Sequence, residues 1–70
     1  MRLDLNPHWT GRLLELPESG MGYQRVRIRL KNGRTIPRAL VFNAEVLQVE
    51  EAVPPFRSED IADIEIEPGS

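Results

Sequence analysis

Residues 25–31 read Arg-Val-Arg-Ile-Arg-Leu-Lys, hydrophobe and cation in strict alternation, and Asn32-Gly33 follows at once. A period of two belongs to a β-strand with one buried face and one wet face. An α-helix would scatter Val26, Ile28 and Leu30 around its circumference. Asn-Gly supplies the positive-φ residues of a two-residue type I′ turn, so residues 34–42 are expected to return as the second strand of a hairpin. That register sets Lys31 opposite Arg34 and Arg27 opposite Arg38. Thr35, Pro37, Ala39 and Val41 then join Val26, Ile28 and Leu30 on the inner face. Ile36, Leu40 and Phe42 join the cations Arg25, Arg27, Arg29, Lys31, Arg34 and Arg38 on the outer face. Pro37 has no N–H to give to a ladder, so an edge, a bulge or a sharp bend is expected there.

The 70 residues allow one domain with a small core, placed at 1–67. With no cysteine, neither a disulfide nor a thiolate-zinc site can staple it, and oligomerisation is the remaining common source of buried area. No apolar run approaches membrane-spanning length and no secretion signal opens the chain, so a cytoplasmic protein is expected. Charge is segregated. Residues 22–43 carry six cations and no anion, whereas residues 44–70 carry one cation and eight anions. The two segments are suited to meet.

Asn6-Pro7 has the form of a helix start, with Asn as cap and Pro in the first turn. Trp9, Leu13 and Leu16 follow at near-helical spacing, although residues 12–16 fit a short strand equally well. Residues 17–22 form a loop by composition. Asn43-Ala44-Glu45 is a tight turn into a third strand over 46–50, with Leu47 and Val49 inward. Residues 51–57 contain Pro54-Pro55 and form a loop, and Ser58-Glu59-Asp60 resembles a serine-capped helical turn. Residues 61–67 alternate again, with Ala62, Ile64 and Ile66 inward and Asp63, Glu65 and Glu67 outward. Residues 68–70 are expected to form a disordered tail.

The expected fold is therefore mainly β. It is a small barrel or a rolled antiparallel sheet of roughly four or five strands, with a short N-terminal helix or extra strand. The stretch VRIRLKNGRTIPRALVFNAEVLQV, with its alternating strand, Lys-Asn-Gly-Arg turn and Asn-containing second turn, resembles the first motif of Sm-like proteins. Residues 61–64 resemble the last strand of such Src-homology-3-like barrels. The resemblance covers roughly half the chain. It implies a small β-barrel and makes Asn43 a candidate RNA contact. The chain departs from the family at Pro37-Arg38-Ala39, where a glycine is usual, and at Phe56-Arg57-Ser58-Glu59, where an apolar residue and Arg-Gly are expected. Residues 15–24 look like a segment of small uncharacterised bacterial proteins.

Like charges facing across strands repel, so the basic stripe requires an offset. One reading supplies it with Asp63, Glu65 and Glu67, whose alternation suits them to sit beside Arg25, Arg27 and Arg29. The other supplies a nucleic-acid backbone, bound by Arg25, Arg27, Arg29, Lys31, Arg34 and Arg38 with Asn43. Ile36, Leu40 and Phe42 form an apolar group on a nominally wet face, a candidate surface for a protein partner or a second copy. Catalytic chemistry is poorly supplied. His8 is the lone histidine, the serines fall in loops or the tail, and no metal-ligand spacing or glycine-rich phosphate loop is present. The expectation is a non-enzymatic module without cofactor. Its leading reading is protein interaction or assembly, and the alternative is RNA or DNA binding.

Overall fold

The computed structural model describes residues 1–18 and 20–67; the expected tail at 68–70 lies outside them. Strand β1 (Arg2–Asp4) leads into helix α1 (Pro7–Leu14). A hairpin of β2 (Tyr23–Leu30) and β3 (Thr35–Phe42) follows, then β4 (Val46–Gln48), a 3₁₀ turn (Ser58–Asp60) and β5 (Ile61–Ile66). All strand pairs are antiparallel, in one sheet of order β1-β4-β3-β2-β5. Among the described residues β1 and β5 do not pair. The sheet therefore stays open and does not close into the barrel, the other form expected.

Residues 7–14 resolve as helix, for the reasons their sequence offers. The Asn6 side chain accepts the Trp9 N–H at 3.2 Å, and Pro7 occupies the first turn, where its missing N–H costs nothing. Trp9 and Leu13 are buried against the inner face of the sheet in one cluster with Val26, Ile28, Val41 and Leu47. The far end of the helix leaves carbonyls without intrahelical partners. Gln24, only 3% exposed, projects from the inner face of β2 and its amide donates to Leu13 O at 2.9 Å. The same nitrogen lies 3.3 Å from the carbonyls of Leu16 and Pro17. A buried amide thus bolts helix to sheet, and that is why a polar residue sits among hydrophobes.

The hairpin forms where the alternation places it, but its turn is not the type I′ expected. Gly33 N–H bonds Leu30 O at 3.0 Å, Leu30 N–H bonds Arg34 O at 2.8 Å, and only Gly33 of the loop has positive φ, at 93°. Lys31-Asn32-Gly33 is a three-residue loop of a type I turn closed by a left-handed glycine. The added residue moves the register by one, pairing Arg29 with Thr35 and Ile28 with Ile36. A one-residue slip exchanges faces. Ile36 therefore enters the core, 5% exposed, while Thr35 and Pro37 are exposed. Burial of a large aliphatic side chain, worth about 1.5–3 kcal/mol, outweighs the preference of Asn-Gly for the tighter turn. Arg34 faces Leu30 rather than Lys31.

Keeping that register would turn Ala39 and Val41 outward. A bulge prevents it. The pairing shifts between Val26 and Ile28, and beyond the shift Val26 faces Ala39. Pro37 and Arg38 lie in the bulge, so Arg38 does not stand directly opposite Arg27. The irregularity expected from Pro37 is present as this bulge. Arg38 takes a left-handed φ of 58°, a conformation that favours glycine. Strand β5 repeats the device. A shift between Arg29 and Leu30 lets Ile61, Ile64 and Ile66 pair with Leu30, Ile28 and Val26. Ile61 is buried and Ala62 exposed, the reverse of the expectation for Ala62.

The φ signature of a type I′ turn appears instead between β3 and β4. Asn43 and Ala44 have φ values of 53° and 59°, and Glu45 N–H bonds Phe42 O at 3.0 Å. Ser58 does not cap the 3₁₀ turn. Asp60 Oδ2 accepts the Arg57 N–H at 2.9 Å there, and the buried Ser58 hydroxyl accepts the Asn6 N–H at 3.1 Å. That bond ties the approach to β5 to the start of the helix. No helix of the described residues is long and apolar enough to cross a membrane.

Candidate interaction surface

The helix covers one face of the sheet; Arg25, Arg27, Arg29, Leu40 and Phe42 lie on the other. Strand pairing divides that outer face into two zones. On one side β5 lies along β2, with Glu65 opposite Arg27 and Asp63 opposite Arg29. Glu67 N–H bonds Arg25 O at 2.8 Å and extends the pairing by one residue. The acidic alternation therefore meets the basic one, as the first reading of the stripe expected.

Contacts within this zone follow from that register. Arg27 Nη2 donates to Glu65 Oε2 at 3.0 Å, and Arg29 Nη2 lies 3.6 Å from Glu65 Oε1. Each arginine thus engages a different oxygen of one carboxylate. The Arg27 hydrogen bond, aided by the positive charge of both guanidiniums, holds the Glu65 carboxyl below its ordinary value, against a smaller opposing effect of desolvation. Asp63 accepts the Ile64 N–H at 2.9 Å and lies 4.0 Å from Arg12 of the helix. Arg38, raised by the bulge, donates through Nε to Glu50 at 3.0 Å, and its N–H donates to Glu67 Oε2 at 3.2 Å. The carboxylates thus occupy the bulged N–H and the guanidinium that the left-handed turn projects.

The other zone is apolar. Tyr23 pairs with Phe42 and Phe42 with Val46, giving a row across β2, β3 and β4; Leu40 lies beside it, between Arg25 and Gln48. All four are half-buried, and Arg2 stands 5.9 Å above the Phe42 ring. Asp4, opposite Val46, closes the β1 side. Aromatic and aliphatic side chains are thus bordered by Arg2 and Asp4 on one side and by Arg25 on the other.

Of the sequence candidates for an apolar surface, the fold brings together Leu40 and Phe42 and withdraws Ile36 into the core. Tyr23 and Val46 take its place. Both could have been found by carrying the period of two outward from Gln24 and Leu47. Of the cations, Arg25, Arg27 and Arg29 share the outer face of β2, Arg38 stands in the bulge, and Lys31 and Arg34 lie at the hairpin tip. Asn43 sits in the turn at the opposite end of the hairpin, eight residues of strand from that tip. That is roughly 25 Å at the usual strand rise. His8 is exposed, its ring edge-on to Trp9 at 4.9 Å. Among the described residues no three His, Asp or Glu side chains group to hold a metal.

No protein-family model, curated protein or solved structure matched this chain. A functional reading therefore rests on the surface itself.

Proposed function

We propose that this protein is a non-enzymatic assembly module whose outer sheet face packs against a second copy of itself. The observation that carries the reading is the half-buried row Tyr23, Phe42 and Val46 with Leu40, lying on the face the helix does not cover. A sheet with one face covered and an apolar row on the other is completed by a further layer. The rim favours a copy of the same chain. Arg2 and Asp4 border the row on the β1 side, and Arg25 with Glu67 borders it on the β5 side. Two such faces related by a two-fold axis parallel to the strands set the β1 rim of one over the β5 rim of the other. Opposite charges are then available on both rims, and isologous contacts of this kind are the commonest in homo-oligomers. The small core makes added buried area valuable.

The expected outcome is a light-scattering mass that rises to twice the chain mass with concentration. Phe42→Glu and Leu40→Glu hold the protein as a monomer while leaving its circular dichroism unchanged. A wild-type chain that stays monomeric across the accessible concentration range rejects the reading. The alternative, RNA or DNA binding by the stripe, draws less support, because Glu65, Glu50 and Glu67 compete with phosphate for Arg27, Arg29 and Arg38.

A further inference from the structure

The hairpin tip differs from the rest of the basic surface. Lys31 and Arg34 are exposed, and among the described residues neither side chain pairs with an acid, whereas Arg12, Arg27, Arg29 and Arg38 each do. Beside them the proline-containing loop at 51–57 passes along the hairpin and leaves two adjoining clefts. One, of about 250 Å³, lies between Lys31, Arg34, Pro55 and Phe56. The other, of about 170 Å³, is floored by Ile36, Pro37 and Val53. Leu30, Arg34 and Pro54 border both. Asp60 also borders the first, but its carbonyl accepts the Lys31 N–H and its carboxylate accepts the Arg57 N–H, both at 2.9 Å.

We propose that this pair of clefts binds an extended segment of a partner protein that carries a carboxylate next to, or two positions from, an aliphatic side chain. Charge and size both select that occupant. The two unneutralised cations call for an anion, and the floor of the second cleft is apolar. Each cleft is smaller than the roughly 300–1,000 Å³ of a small-molecule site, a size suited to individual side chains. Two in succession, joined across Arg34, suit consecutive residues of an extended chain. Pro54-Pro55 offers no backbone N–H, so recognition falls to side-chain packing and to the cations rather than to strand addition. Nucleic acid fits less well, because stacking would fall to the half-buried Phe56 alone. The site lies at the turn end of the hairpin, away from the apolar row proposed for self-assembly.

The test is a titration of isotopically labelled full-length protein, followed through backbone amide shifts. The probes are short peptides placing one Glu adjacent to or two positions from one Leu, matched peptides with Lys for Glu, and oligouridylate. The acidic peptides are expected to move the amides of Leu30, Arg34, Ile36 and Val53. The double variant Lys31→Ala, Arg34→Ala should weaken their binding about tenfold, the loss of one modest charge-assisted contact, while Tm is unchanged. Equal binding of the Lys peptides, no movement of those amides with any acidic peptide, or stronger binding of oligouridylate at the same amides overturns the proposal.

Discussion

The cations of this hairpin fall into two groups that look identical in sequence and stand in different surroundings. Arg27 and Arg29 lie in the middle of β2, where β5 runs alongside and Glu65 reaches both at 3.0 and 3.6 Å. Lys31 and Arg34 lie at the tip, beyond the point where β5 begins at Ile61 opposite Leu30. Its acids reach back along β2 and not forward to the turn. A cation stripe therefore acquires its meaning from the strand next door. In the middle it specifies pairing; at the tip, among the described residues, Lys31 and Arg34 pair with no acidic side chain.

Removing the strand that makes the difference should have the largest effect. Ile64 is fully buried against Ile28, and Ile64→Ala should cost about 2–5 kcal/mol, measured by urea unfolding, because it opens a cavity under β5. A loss below about 0.5 kcal/mol, the scale of an ordinary surface substitution, would mean that β5 is not anchored as described. Charge reversal sharpens the contrast between the groups. Arg27→Glu sets like charges opposite each other at Glu65 and should lower Tm by several degrees, whereas Arg34→Glu should leave it nearly unchanged. Equal shifts would erase the distinction.

The pH dependence is smaller and has a definite sign. Glu65 has a folded pKa below its ordinary value, so it binds fewer protons folded than unfolded in that interval. Its contribution is fully present above the unfolded carboxylate value of about 4.3 and is lost as pH falls through the lower folded value. Arg27→Gln removes the leading cause and should flatten the fall in stability below that pH. An unchanged acid limb in thermal melts would contradict the assignment. The smallest effect belongs to the bulge. Arg38→Gly relieves a left-handed backbone that costs about 1–2 kcal/mol, but it loses an exposed pair with Glu50 worth about 0–1 kcal/mol and adds unfolded-state freedom. The net change should stay within about 1 kcal/mol by urea unfolding, and a loss well beyond that would mean that Arg38 does more in the bulge than pair with Glu50.

Much of the fold was legible in the sequence, because two alternating runs of opposite charge can be satisfied side by side. The hairpin, the Asn6-Pro7 helix start, the irregularity at Pro37 and the β5 neighbour all follow from local rules. Registers were harder to read. Ile36, Ala39 and Val41 are spaced three and then two apart, as are Ile61, Ile64 and Ile66. Neither set can be buried by a regular strand, and each requires a bulge where the spacing is three. Reading Asn32-Gly33 as a two-residue type I′ turn set a register that sent Ile36 to the wrong face, when those dihedrals occur at Asn43-Ala44. Assuming an unbroken period of two along residues 61–67 sent Ala62 inward. Gln24 was unreadable because its task, closing the carbonyl end of a helix eleven residues earlier at Leu13, exists only after packing. The apolar row was partly legible through Leu40 and Phe42, but its extent depends on cross-strand neighbours that composition does not reveal. The tip clefts depend on where the 51–57 loop crosses, for which proline supplies no direction.

The most direct test of the pairing account is a charge swap across β2 and β5. Arg27→Glu and Glu65→Arg should each lower Tm, and the double variant should recover most of the loss. The difference should shrink at about 1 M salt, where screening extends over only about 3 Å. A double variant no more stable than the sum of the two single losses would show that the stripe does not code for its neighbouring strand.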